Sequence, residues 1–170
     1  MVHIDLCSEW KNIILFKETK NGEQCEVWLK DGVILRNVSK FSDVLKDFEK
    51  FFSINLENNI RKFKRLYPFV REYFPLPLYK EFILIPLPAG RDTMVYLVKE
   101  HCLMFKKIKG RMGWSEIILS DTRRIEVSVE TSQLKTVFEC AEKIKRKMPL
   151  LYIVKRDSPR FWEKISNIAL

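Results

Sequence analysis

The chain has 170 residues, a formal charge of +9 and an isoelectric point near 9.4, with 46% hydrophobic and 12% aromatic residues. That apolar content supports a core and excludes a disordered chain, although 31% of residues are charged. The basic excess favours an anionic partner, which is nucleic acid, an anionic membrane surface or an acidic protein. Residues 1–9 read as a short strand or an arm, and residues 12–16 as a buried strand. Asn21-Gly22 is a hairpin signal, because both residues tolerate positive φ, and the chain returns in a strand over 24–30. Asp31-Gly32 turns it again into a strand over 33–38. Phe41, Val44, Leu45, Phe48 and Phe52 recur at helical spacing, so residues 41–52 form a one-sided helix with Ser39 or Ser42 as its cap.

A basic stretch over 57–74 follows. It reads either as a helix interrupted at Pro68 or as a basic loop leading into a short helix. Pro75 and Pro77 punctuate a short apolar spacer, 75–80, which divides a half over 1–77 from a half over 78–170. Strands are expected over 81–87, 94–98 and 102–108, with a turn at 88–92 and a basic, glycine-containing hairpin at 109–113. From Ser115 the chain reads as a strand, a polar turn at Ser120-Asp121, a second strand, and a helix over 131–147. Thr131 or Ser132 caps that helix and Pro149 stops it. Its apolar stripe is Leu134, Val137, Phe138, Ala141 and Ile144. Its last turns carry Lys143, Lys145, Arg146 and Lys147, cations that suit the negative end of the helix dipole. Residues 150–154 read as a closing strand, and Ser158-Pro159 opens a last helix with an apolar face at Phe161, Trp162, Ile165 and Ile168.

The strand, hairpin, strand and capped helix of 115–147 occur once before, about 90 residues upstream. Glu26-Val27-Trp28-Leu29-Lys30-Asp31 meets Glu116-Ile117-Ile118-Leu119-Ser120-Asp121 without a gap. At the same offset Ile13 meets Leu103, Lys17 meets Lys107, Leu35 meets Ile125 and Phe48 meets Phe138.

No nucleophile elbow, Walker loop, dinucleotide fingerprint or H-E-x-x-H helix occurs, and His101 and Cys102, adjacent on a strand, point to opposite faces. Neither catalysis nor a cofactor is expected. The four cysteines, Cys7, Cys25, Cys102 and Cys140, form no C-x-x-C pair, and with two histidines a zinc site has little support. Reduced, mostly buried thiols in a cytoplasmic protein are the expectation. The first nine residues lack the segments of a secretion signal, and no apolar run approaches the ~20 residues that span a bilayer. The cations fall into clusters: Arg61, Lys62, Lys64 and Arg65; Lys106, Lys107, Lys109 and Arg111; Arg123 and Arg124; and the end of the 131–147 helix. Any one cluster suits a solvated face, but four together suit a phosphate-binding surface. Arginine at a hairpin tip also fits a narrow A-tract minor groove. Trp28 and Trp162 suit a core, and Trp114, beside the basic hairpin, suits a stacking contact.

Phe82-Ile83-Leu84-Ile85-Pro86, Arg91, Tyr96-Leu97 and His101 resemble the ComK competence transcription factors. There an apolar strand ending in Pro leads to an aromatic-aliphatic pair and a His. Residues 116–128 and 131–145 resemble the family's next hairpin and helix. Phe51-Phe52, Asn55-Leu56-Glu57 and Arg61-Lys62 fall near the family's upstream aromatic, turn and Gly-Arg-Lys, with Ile60 in place of the Gly. The resemblance covers roughly residues 33–147 and is that of a divergent member. It implies an activator that binds paired A-rich and T-rich boxes largely through the minor groove, oligomerises on the site, and is delivered by an adaptor to a Clp protease. The strand-rich units with a short Asp-Gly turn also resemble LytTR-type DNA-binding domains, more weakly.

The expected fold is α+β and strand-rich, with two related halves, each a small antiparallel sheet with a packed helix. The expected function is sequence-preferring binding of double-stranded DNA as a competence-type transcription activator in the cytoplasm, as a homo-oligomer on DNA and away from membranes. Arg61, Lys62, Lys64 and Arg65 are the first expected contacts, then Lys107, Lys109 and Arg111, then Arg123 and Arg124. The alternative is a non-catalytic protein–protein adaptor that uses its basic face on an acidic partner.

Overall fold

The computed structural model describes residues 5–19 and 22–156 and places side chains as far as Met148. It is an α+β, strand-rich arrangement, with nine strands and three helices among the described residues. The order is β1 (Ile13–Thr19), β2 (Gln24–Leu29), β3 (Ile34–Leu35), α1 (Phe41–Phe52), α2 (Leu56–Leu66), β4 (Leu76–Tyr79), β5 (Phe82–Pro88), β6 (Met94–Val98), β7 (Cys102–Lys107), β8 (Ser115–Leu119), β9 (Arg124–Val127) and α3 (Thr131–Arg156). Six strands form one antiparallel sheet in the order β3-β2-β1-β6-β5-β4, and three form a second in the order β7-β8-β9. The boundary between 77 and 78 falls inside β4, and the larger sheet draws β1 to β3 from one side of it and β5 and β6 from the other. No helix among the described residues is long and apolar enough to cross a membrane.

The larger sheet is apolar on both faces, because β1 and β5 read as continuous buried runs, Ile13-Ile14-Leu15-Phe16 and Phe82-Ile83-Leu84-Ile85. One face packs Ile13, Phe16, Val27, Phe82 and Leu84 against Phe41, Val44 and Phe48 of α1. The other joins Ile83, Ile85, Val95 and Leu97 to Leu134, Val137, Cys140, Ala141 and Ile144 of α3. The same core takes in Ile117, Leu119, Ile125 and Val127 of the small sheet, so α3 is shared by both sheets.

Several elements depart from their sequence-based expectations. Residues 33–38 give only a two-residue strand, with Val33 and Ile34 exposed. Residues 6–9 form turns rather than a strand. Lys40, without a side-chain bond, stands at the cap of α1 in place of Ser39 or Ser42. The 57–74 stretch resolves as a helix that ends before Pro68, held at its start by Asn55, whose Oδ1 accepts the Asn58 N–H at 2.9 Å. The spacer at 75–80 contains β4, where Pro77 is tolerated because the strand lies at a sheet edge. α3 starts at Thr131, so neither Thr131 nor Ser132 precedes it as a cap. It also runs through Pro149 to Arg156, and the expected strand over 150–154 is helical. Proline costs a helix a hydrogen bond, but the apolar stripe continues to buried Met148 and keeps α3 against the core up to that point. The expected last helix and Trp162 lie outside the described residues.

The repeated unit is visible in the structure. A 3-10 turn at Trp10–Asn12 precedes β1, and another at Lys99–His101 precedes β7. Ile13, Leu15, Phe16, Lys17 and Glu18 pair with Leu29, Trp28, Val27, Glu26 and Cys25. Cys102, Met104, Phe105, Lys106 and Lys107 pair with Leu119, Ile118, Ile117, Glu116 and Ser115, with the register shift at the same step. The closing turns match too: Leu29 N–H donates to the Val33 carbonyl, and Leu119 N–H to the Arg123 carbonyl, both at 2.8 Å. The loop before β8 is one residue longer than its counterpart, so Lys17 corresponds to Lys106 rather than to Lys107. One difference remains. β1 also pairs with β6, whereas β7 pairs only with β8 among the described strands.

Candidate nucleic-acid interface

The basic side chains are sorted by what each touches. On α2, Leu56, Ile60 and Phe63 turn inward at i, i+4 and i+7. The opposite stripe, Asn58, Arg61, Lys62 and Arg65, follows the same spacing and is exposed throughout. Arg61 is paired with Glu57 one turn earlier at 3.0 Å, an exposed contact of small energy. Lys64 lies over the Phe74 ring, 5.7 Å from its centroid. Among the described residues, Lys62 and Arg65 have no carboxylate within 4.0 Å. Two of these cations, Lys64 and Arg65, fall in the last turn of α2, where the dipole favours them.

The β7–β8 hairpin carries Lys107 and Lys109, both exposed and without a carboxylate partner among the described residues. Gly110 and Gly113 take positive φ values of 77° and 78° and fold the tip back on itself. Arg111 stacks over Trp114 at 4.0 Å from the ring centroid and pairs with Glu126. One face of Trp114 is therefore covered by an arginine from its own loop. A cavity of about 480 Å³ lies between this hairpin and the first turn of α3, lined by Lys107, Arg111, Trp114, Thr131 and Ser132 among others.

The remaining cations are more heavily engaged. Arg124 and Lys106 share Glu116, at 3.3 and 3.4 Å. Arg123 turns inward: it bonds Asp121 through Nε at 2.7 Å, donates Nη2 to the Leu29 carbonyl at 2.5 Å, and lies 4.9 Å over Trp28. On α3, Lys145 bonds Glu100 at 2.7 Å and Lys143 lies over Phe69. Gln133 reaches Glu72 at 3.3 Å, so the chain after α2 runs along α3 towards its start. The hairpin meets α3 at Thr131 and the region just after α2 meets it at Lys143, roughly 18 Å apart along the helix axis.

The thiols are protonated packing groups. Burial pushes Cys25 up to about 12, and Cys102 and Cys140 to about 11. His101 bonds Ser120 Oγ through Nδ1 at 2.9 Å. Burial and the nearby Lys30 lower its pKa from 6.5, against the opposing pull of Glu100 and Asp121, so it is neutral at pH 7.

Among the described residues, Lys62, Arg65, Lys107 and Lys109 have no carboxylate partner and Lys64 lies over Phe74, whereas Arg61, Arg111 and Arg124 stand in exposed ion pairs and Arg123 is committed to the interior. Sequence reasoning missed Asn58. Its signal is the i, i+3, i+4, i+7 spacing with Arg61, Lys62 and Arg65, which has meaning only once 56–66 is read as one helix. No protein-family model, no curated protein and no solved structure matches the chain.

Proposed function

We propose that the protein is a double-stranded DNA-binding transcription regulator of the cytoplasm, similar to the ComK activators, that prefers A/T-rich boxes and catalyses no reaction. The observation that carries this reading is the exposed stripe of α2, in which Asn58, Arg61, Lys62 and Arg65 present donors on one face. Cations there neutralise phosphates and release counterions, and an arginine among them reads a narrow minor groove. The hairpin lysines Lys107 and Lys109 form a second phosphate contact. A homo-oligomer would place this pair of contacts on each of two spaced boxes.

Fluorescence anisotropy with one duplex carrying spaced A and T tracts and one G·C-rich duplex, over a range of salt, tests this. Tight binding that weakens steeply with salt and prefers the A/T duplex is expected. Replacing Arg61 and Lys62 with Ala should weaken binding and reduce the slope of log K against log salt by about 2, with an unchanged melting temperature. Unaltered affinity removes α2 from the interface, and no duplex binding at moderate salt overturns the reading.

A further inference from the structure

Ile108 N–H donates to the Trp114 carbonyl at 3.4 Å, which fixes the phase of the β7–β8 ladder. In an antiparallel pair the bonded residues alternate, so Met104 and Lys106 aim their backbone groups at β8, and Phe105 and Lys107 aim theirs away from it. That outer edge has no partner strand among the described residues. Leu103 and Met104, 65% and 50% exposed, stand on the same strand.

The first repeat shows what fits such an edge. The residues equivalent to Met104, Phe105, Lys106 and Lys107 are Leu15, Phe16, Lys17 and Glu18, and β6 lies against them with Leu97, Tyr96, Val95 and Met94 in antiparallel register. At β7 the chemistry of that slot differs by charge. Lys106 and Arg124 share one carboxylate, Glu116; Arg111 has Glu126; and Lys107 and Lys109 have none among the described residues. Lysines along an open edge discourage pairing with a second basic copy of the chain and leave the edge available to an acidic strand.

We propose that the outer edge of β7 captures an extended peptide segment of a partner protein, antiparallel to β7, acidic opposite Lys107 and Lys106 and apolar opposite Phe105 and Met104. The backbone of β7 supplies the bonds, and the order of acidic and apolar residues sets the direction. A duplex has no row of peptide groups to offer such an edge, so the backbone pairing is separate from the DNA reading, although Lys107 serves in both.

The probe is a fluorescein-labelled peptide, Glu-Glu-Val-Leu-Val, titrated with the full chain. Binding is expected. At least a tenfold loss is expected for Lys-Lys-Val-Leu-Val and for the peptide N-methylated at its first Val, whose N–H would meet the Phe105 carbonyl. Lys107→Pro removes an outward N–H without touching the β8 ladder, and should weaken the peptide at least tenfold. Arg61→Ala with Lys62→Ala should bind it as the parent does, whatever that pair does to DNA. A Kd weaker than about 1 mM, or equal binding of the N-methylated peptide, overturns the proposal. So does sedimentation showing a dimer that Lys107→Pro dissociates, because a second copy would then occupy the edge. The N-methyl comparison needs no variant, so it stands if Lys107→Pro fails to fold.

Discussion

Arg123 sits at a hairpin tip, a place that ordinarily offers a cation to solvent, yet its side chain is only 22% exposed. It ties the small sheet to the large one through the Leu29 carbonyl and the Trp28 ring, while Asp121 holds it in position. Its Nη1 is buried without a hydrogen bond among the described residues, a cost that the Trp28 stack offsets. Replacing Arg123 with Met should cost about 2 kcal/mol at neutral pH, because a charge-assisted bond to the half-buried Leu29 carbonyl is lost. The acid limb supplies a sharper test. Burial alone would raise the Asp121 carboxyl, but the Arg123 side-chain and backbone bonds outweigh it and hold the pKa below 3.8. A depressed carboxyl adds stability that is present above its ordinary value and lost as pH falls through the folded one. The gap between parent and Arg123→Met in urea midpoint should therefore narrow below about pH 4. A gap that stays constant down to pH 3 would detach Arg123 from Asp121.

Among the elements, α2 is the one whose stability bears most directly on the proposed interface. It has eleven residues, too few to be stable as an isolated helix in water, and Asn55 satisfies one of its orphan donors. Asn55→Ala should cost about 1 kcal/mol and fray the turn holding Glu57 and Asn58, whereas Asn55→Ser should restore the cap. If α2 is the contact helix, duplex affinity falls with Asn55→Ala and returns with Asn55→Ser; affinity indifferent to both changes would point to the hairpin alone. How far the sequence discloses each element follows from how local its causes are. α1 is readable to its end residues, because five aromatic and aliphatic side chains repeat at helical spacing. β6 is equally plain, a five-residue apolar run between a glycine turn and charged residues. α2 stays open between two readings because its inward stripe is thin and Pro68 lies close to its end. Pro149 misleads because a local rule is overridden by core packing that reaches Met148. Arg123 is hidden for the same reason in another form: its partner carbonyl, on Leu29, is 94 residues away.

At the scale of the molecule, the repeated units are not used alike. The first donates β1 to β3 to a six-stranded sheet, and the second keeps β7 to β9 apart, so the repeat adds an edge as well as a second hairpin. The pairing of β1 with β6 joins Leu15 to Leu97 and Phe16 to Tyr96, and it fills the centre of the larger sheet. A chain cut between 77 and 78 divides β4, strips β6 from β1 and exposes Ile14 and Leu15, which α3 and the small sheet help to bury in the intact protein. Residues 1–77 alone should therefore give a collapsed state without fixed side-chain packing, with poor dispersion in amide NMR and no cooperative urea transition. The intact chain should unfold in one step when followed by tryptophan fluorescence and by far-ultraviolet circular dichroism. A well-dispersed spectrum and a sigmoidal transition from the fragment would show that the first repeat holds its own core. Mixing that fragment with residues 78–170 and recovering duplex affinity would instead show that the two pieces complete one sheet. That is the outcome expected from a central strand pair contributed by both.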